Sequence, residues 1–246
     1  MNPWSLYDDL ISPIPPDITV RDYSVGHVWT WLESDEGTMG VAMTTNVRSR
    51  PSIAMDDVAG APLREVAELA KSWNLIDASI GVAAINAWHN HSGRVDKAGL
   101  RTATGGAFDT YADLVKGKRV ATIGHFPAIE ERLSDAAALT ILERSPRPGD
   151  FIDTAAEYVL PDQDVVFVTG STMVNKTLPR LLELAKQATV IVTGPSTPLS
   201  PVLFDHGASG LSGLIVTDAA GLTRSLRGAG RGRPGHFGHM MDLARG

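Results

Sequence analysis

The chain has 246 residues, 43% hydrophobic and 20% charged, so it is long enough to bury a core and too apolar for a disordered segment. Its 28 acidic residues against 22 basic ones leave a net charge of −6, which argues against a nucleic-acid or anionic-membrane surface. With no cysteine there is no disulfide, thiolate nucleophile, thiolate zinc site or cysteine-held iron–sulfur cluster.

In chain order, Asn2–Ile11 reads as a short helix stopped by Pro13, Pro15 and Pro16. From Ile18 to Leu32 the residues Tyr23, Val25, His27, Trp29 and Trp31 share one parity, which predicts a single strand with one packed face. The turn Ser34–Gly37 then returns the chain through Met39, Val41 and Met43 as a hairpin. Leu63, Val66, Ala67 and Ala70 recur at helical spacing after Pro62, and a second helix is expected from about Leu75 to Trp88. The polar stretch Ser92–Thr110, with Gly93, Gly99, Gly105 and Gly106, is the expected domain boundary.

After it the pattern changes. Arg119–Gly124, Leu139–Glu143, Val165–Gly170, Thr189–Gly194 and Leu214–Thr217 are short apolar runs. Between them lie a predicted helix at Pro127–Ala138 and one with Leu178, Leu181, Leu182 and Ala185 on a single side, with Thr177 as its cap. Apolar runs alternating with amphipathic helices indicate a mostly parallel sheet covered on both faces. The expected fold is therefore α/β, with a smaller α+β domain at residues 1–107 followed by a doubly wound, Rossmann-like domain at 108–246.

Open α/β sheets bind ligands beyond the carboxyl ends of their strands. Here those ends carry Gly124-His125-Phe126, Glu143 to Asp150, Thr169-Gly170-Ser171-Thr172 and Gly194-Pro195-Ser196-Thr197-Pro198. Bulky residues after Gly124 disfavour an ordinary dinucleotide loop. Glu143, at the next strand end, stands where a carboxylate grips ribose hydroxyls, or else is a solvated acid beside Arg144 and Arg147. His125 is the candidate acid or base, its alternative being an imidazole that only fastens the loop. The pairs His89/His91 and His236/His239 offer metal ligands without a zincin spacing. Arg224, Arg227, Arg231 and Arg233 among glycines read as a mobile, solvated tail.

The stretches Ile123–Pro127, Thr169–Thr172 with Asn175–Leu178, and Thr193–Asp205 resemble the putative heavy-metal chelation family, with weaker agreement at Trp29, from Ser72-Trp73-Asn74 to Asn86, and from Glu143 to Asp150. The resemblance implies an enolase-N-terminal-like domain joined to a Rossmann-like one, with a site in the cleft between them. On that basis His125 and Asn175 are expected at the reacting groups, Glu143 at a ribose or amine, and the Gly194–Pro198 loop at an anion. Asp150 and Asn86 are expected as ligand contacts. The expected ligand is an anionic or metal-chelating small molecule, with a transition metal or an adenosine-containing nucleotide as the open cofactors. The alternative is a non-catalytic, histidine-based metal-binding or delivery protein. Nothing at the N-terminus reads as a signal peptide and no run is long enough to span a membrane, so the expected setting is cytoplasmic, without membrane or nucleic-acid partners and with a homodimer left open.

Overall fold

The computed structural model describes residues 2–47, 50–53, 57–97, 101–227 and 232–245. Helix α1 (Ser5–Ile11) leads into an antiparallel sheet of β1 (Val20–Val25), β2 (Trp29–Ser34) and β3 (Met39–Met43). Helices α2 (Leu63–Ala67), α3 (Leu75–His89) and α4 (Ser92–Lys97) follow. The eight-stranded sheet then takes β4 (Arg101–Thr104), β5 (Arg119–Ile123), β6 (Ala138–Glu143), β7 (Phe151–Ile152), β8 (Val165–Thr169), β9 (Thr189–Thr193), β10 (Gly210–Val216) and β11 (Gly238–Ala244). Its order is β4-β11-β10-β9-β8-β5-β6-β7. The neighbours from β10 to β7 run parallel, whereas β11 is antiparallel to both β10 and β4. The connecting helices are α5 (Ala107–Thr110), α6 (Ala112–Val115), α7 (Ile129–Arg132), α8 (Ala156–Val159), α9 (Leu178–Leu184), α10 (Val202–Asp205) and α11 (Ala219–Arg227). The fold is thus mixed α/β, with a large, mostly parallel sheet and a small antiparallel one.

One apolar cluster runs from Leu6, Leu10 and Ile14 through Val82 and Ile85 of α3 to Val166, Val168, Val190 and Val192 of the large sheet. The opposite face of that sheet is covered by Phe108 and Ile129 over Val120, Phe167 and Ile191. Helix α3 packs closely because Gly81 lets it lie against the Ala70 backbone, where a Cβ would meet the Ala70 nitrogen at 1.9 Å, and Asn74 caps it by accepting the Ile76 amide at 3.1 Å. At Gly40 of β3 a Cβ would lie 2.0 Å from the Ala83 carbonyl oxygen, so only glycine lets the strand touch the helix backbone. Asn90, just past α3, donates to the Thr197 and Leu214 carbonyls and accepts from the Leu199 amide at 2.8 Å. Tyr7 donates to the Met173 carbonyl at 2.8 Å.

Several expectations need correction. The predicted strand Ile18–Leu32 is two strands, β1 and β2, folded on each other around Gly26-His27-Val28, with Val25 opposite Thr30. Only Ile129–Arg132 of the predicted Pro127–Ala138 helix forms. Beyond it the Ala137 amide bonds to the Lys118 carbonyl and the Asp135 carbonyl to the Gly117 amide, which draws the chain into β6. The stretch read as a solvated tail contributes the end of α11, where Arg227 pairs with Asp22, and Arg233 stands just before the turn Pro234–Phe237. Arg231 and Gly99 lie outside the described residues. Among the described residues no helix is long and apolar enough to cross a membrane.

Candidate functional site

The parallel sheet changes direction at β5. From β5 the chain steps to β6 and β7 on one side, and then to β8, β9 and β10 on the other. The loops after β5 and β8 therefore diverge, and ligands collect in the crevice between such loops. Gly124 and Thr169 face each other there. Gly124 has φ +106, and a Cβ on it would meet Thr169 Cγ2 at 3.3 Å. Glycine thus supplies both the turn and the close approach.

The next residue, His125, points Nδ1 at Asp150, with contacts of 3.1 and 3.0 Å to its two carboxylate oxygens. The histidine side chain is 10% exposed and the Asp150 side chain 3%. Burial works to raise the Asp150 carboxyl, but the Arg147 amide and His125 outweigh it and hold the carboxyl below its ordinary value. An ionised carboxylate only accepts, so Nδ1 carries the proton and Nε2 is left for other work. The nearest acid to Nε2 is the exposed Glu130, at 3.7 Å. Glu130 escaped the sequence reading because its spacing from His125 spans a turn led by Pro127 and the left-handed Ala128.

Glu143 lies beside the dyad and is already engaged. Its Oε2 accepts the His125 amide at 3.0 Å and its Oε1 the Ser145 amide at 3.2 Å. Phe126 packs edge-on against Phe108 at 5.1 Å between ring centres. Across the crevice, Thr169 Oγ1 meets Ser171 Oγ at 3.1 Å, and Thr172 donates to the Thr169 carbonyl. Gly170 packs on the Ser196–Thr197 backbone, so this loop and the Gly194–Pro198 loop are fixed to one another. Ser196 in turn accepts the Met43 amide at 2.9 Å, which ties the second loop to the end of β3.

The remaining candidates fall elsewhere or hold the fold. Asn175 Oδ1 accepts from the Thr177 amide and hydroxyl, so Thr177 donates to Asn175 and makes no side-chain cap on α9. Asn86 is buried inside α3, donating to the Val41 carbonyl at 2.8 Å, and its Oδ1 has no partner among the described residues. His89 is locked in the last turn of α3 with Nε2 on the Leu10 carbonyl, and burial pushes its pKa down to about 4. Among the described residues no group of three or more His, Asp or Glu side chains is arranged to hold a metal ion.

Sequence reasoning also missed Lys176. Its backbone is left-handed and its amine bonds to the Ser72 and Val174 carbonyls, while burial lowers its pKa to about 8 against the pull of Asp77. Two cavities open near this end of the molecule. One of about 400 Å³ is lined by Arg50, Ser52, Asn74 and Asp77, and one of about 220 Å³ by His27, Thr44 and Asn46, with Ile76 shared by both. Neither takes in a residue expected from the sequence.

Residues 106–240 match a family model described as putative heavy-metal chelation, and residues 7–89 match a second model of the same description. The chain belongs to the putative heavy-metal chelation family. It is similar to a crystal structure of a protein with unknown function from the DUF364 family of Desulfitobacterium hafniense, with 37% identity, 98% of each chain covered and a TM-score of 0.91. A protein with unknown function from the same family in Pyrococcus horikoshii matches at 25% identity and a TM-score of 0.84, over 99% of this chain and 100% of that one. An uncharacterized protein of Methanocaldococcus jannaschii, MJ0500, is 29% identical over 206 residues, which is 80% of this chain and 78% of the relative. This family member thus carries the α/β architecture of its solved relatives, with the His125–Asp150 pair at the direction change of the sheet.

Proposed function

We propose that this family member binds an anionic or metal-chelating small molecule in the crevice between the β5 and β8 loops, with His125 as its acid–base group. The observation that carries the reading is the Asp150–His125 dyad. A buried carboxylate fixes the imidazole by Nδ1 at the edge where α/β sheets receive ligands. Asp150 sets the tautomer and holds the ring, and Nε2 exchanges the proton with the ligand. The hydroxyls of Thr169 and Ser171 and the Gly194–Pro198 loop form the facing wall. Asn175 belongs to the architecture of that wall, since its amide oxygen is taken by Thr177.

The test is to denature the purified full chain and identify what it releases, by mass spectrometry for small molecules and elemental analysis for metals. The His125→Ala chain is expected to release at least about tenfold less of the retained molecule while still unfolding cooperatively, its melting temperature lowered only by the loss of the bond to Asp150. Equal retention by the variant would remove His125 from the site. A stoichiometric transition metal with no organic molecule would favour the metal-delivery alternative.

A further inference from the structure

Three carboxylates converge on His125, each at a different atom. Asp150 takes Nδ1, Glu143 accepts the backbone amide, and Glu130 lies 3.7 Å from Nε2. The first two are further engaged, Asp150 by the Arg147 amide and Glu143 by the Ser145 amide. The Glu130 side chain is 63% exposed, and among the described residues Nε2 is the one polar atom near its carboxylate. The arginines of these loops are turned elsewhere. Arg144 pairs with Asp153 at 3.0 Å and Arg132 reaches toward Asp109 at 3.9 Å. Arg147 is exposed, and its charge favours the ionised form of Asp150, on the Nδ1 side of the ring. The Nε2 side is left with an excess of negative charge.

This arrangement calls for a donor. The proton on Nδ1 makes Nε2 an acceptor, and a carboxylate is an acceptor too. At 3.7 Å the two form no hydrogen bond with each other. An anion brought between them would be repelled, and a hydroxyl has a single hydrogen for two acceptors. An ammonium has hydrogens for both and the opposite charge. With donor–acceptor distances of about 2.8–2.9 Å, two tetrahedral hydrogens reach acceptors about 4.7 Å apart, so Glu130 has to swing outward by about 1 Å. Its exposure leaves it free to do so. A metal ion is served less well, because Nε2 and Glu130 make two ligands where a protein-bound zinc ion takes about three or four.

We infer, resting on the reading of this crevice as the small-molecule site, that its ligand is an amino-carboxylate whose ammonium group sits between His125 Nε2 and Glu130. One N–H goes to the imidazole and one to the carboxylate. The ligand's own carboxylate is kept off this side by Glu130, Glu143 and Asp150. It turns to the facing wall, where the Thr169 and Ser171 hydroxyls lie 3.1 Å apart. Glu130 is then a binding residue that selects nitrogen over oxygen at one end of the ligand.

The experiment is a titration of the full chain, isotope-labelled at its histidine rings and followed by NMR. The His125 signal is the one missing from the His125→Ala spectrum. The probes are pairs that exchange nitrogen for oxygen: alanine and lactate, glutamate and 2-hydroxyglutarate, iminodiacetate and diglycolate. The amine of at least one pair is expected to move the His125 signal saturably, with a dissociation constant at least about tenfold below that of its oxygen counterpart. Glu130→Ala removes an exposed side chain, so it should fold, and it should bring the two members of that pair to within about twofold. Equal binding of both members would overturn the amine assignment and leave the crevice reading standing, since the ring signal still responds. A nitrogen preference kept in full by Glu130→Ala would overturn it as well. A His125 signal that no probe moves would also overturn it, and the crevice reading is then judged separately, by what the His125→Ala chain releases on denaturation.

Discussion

Asp150 holds His125 by its Nδ1 nitrogen at 3.0 Å, across two strand-end loops that are neighbours only because β6 lies beside β5. The same carboxylate accepts the Arg147 amide, so it fastens its own loop as well as the imidazole. Asp150→Asn should keep the loop bond and lose the charge that fixes the ring. The expected result is a loss of about 1–2 kcal/mol at pH 7, read by urea denaturation, together with a larger fall in ligand retention. The sign of the pH dependence follows from the lowered pKa. The stabilisation from Asp150 is present above its unfolded value of 3.8 and is lost as pH falls below it. The parent and the variant should therefore converge in stability toward pH 3. A stability gap that stays constant from pH 7 to pH 3 would contradict this account.

Glu143→Gln is expected to cost about 1–3 kcal/mol, because glutamine offers one acceptor where two backbone amides need one each. Thermal denaturation of the variant measures that cost. If an adenosine nucleotide stabilises the parent chain, calorimetry on the variant reports whether the carboxylate also reaches a ribose. An unchanged dissociation constant would confine Glu143 to positioning the His125 backbone.

His89 gives the stability curve a second acid limb. Buried neutral, with its pKa pushed from 6.5 to about 4, it resists protonation in the folded chain while the unfolded chain takes up the proton. Stability is then complete above about pH 6.5 and falls as pH drops toward 4, by up to about 3 kcal/mol. Denaturant midpoints between pH 4.5 and 8 should show this slope. The slope should flatten in His89→Gln, whose amide can still donate to the Leu10 carbonyl.

Asn90→Ala leaves the Leu199 amide and the Thr197 and Leu214 carbonyls without their buried partner. About 3 kcal/mol should be lost. Hydrogen exchange at the Leu199 amide should quicken well beyond the change at β8, which keeps its ladder. A uniform change across both regions would mean that Asn90 supports the whole fold and not this junction.

The sequence made the large sheet visible where strands are buried on both faces. Val165–Thr169 and Thr189–Thr193 read as unbroken apolar runs because the larger apolar cluster takes one face of the sheet and the cluster around Phe108 the other. It hid β11, in which Asp242 interrupts Gly238–Ala244 and the pairing is decided by β10 and β4. It also hid the β1–β2 turn, since Val25, His27 and Trp29 keep their alternation through the reversal. Within the site, His125 was legible from its place at a strand end. Its union with Asp150 depends on which strands are neighbours, and the sequence carries no local signal for that. The amide bonds of Glu143 were invisible for the same reason, as they connect one loop to the next.

Strand β4 has one neighbour in the sheet, and that neighbour is β11. On the ribosome, residues 101–104 are made well before residues 238–244, so the β4 edge waits with both of its sides unpaired until the last strand of the sheet emerges. During that interval β10 is itself an open edge beside β9. Closure of this side of the sheet therefore waits for β11, and a chain ending before Gly238 would leave β4 without a partner and β10 as an open edge, where β11 otherwise pairs with both. Such a product would be a substrate for proteases and chaperones, even though every residue of the His125 crevice would already have been made.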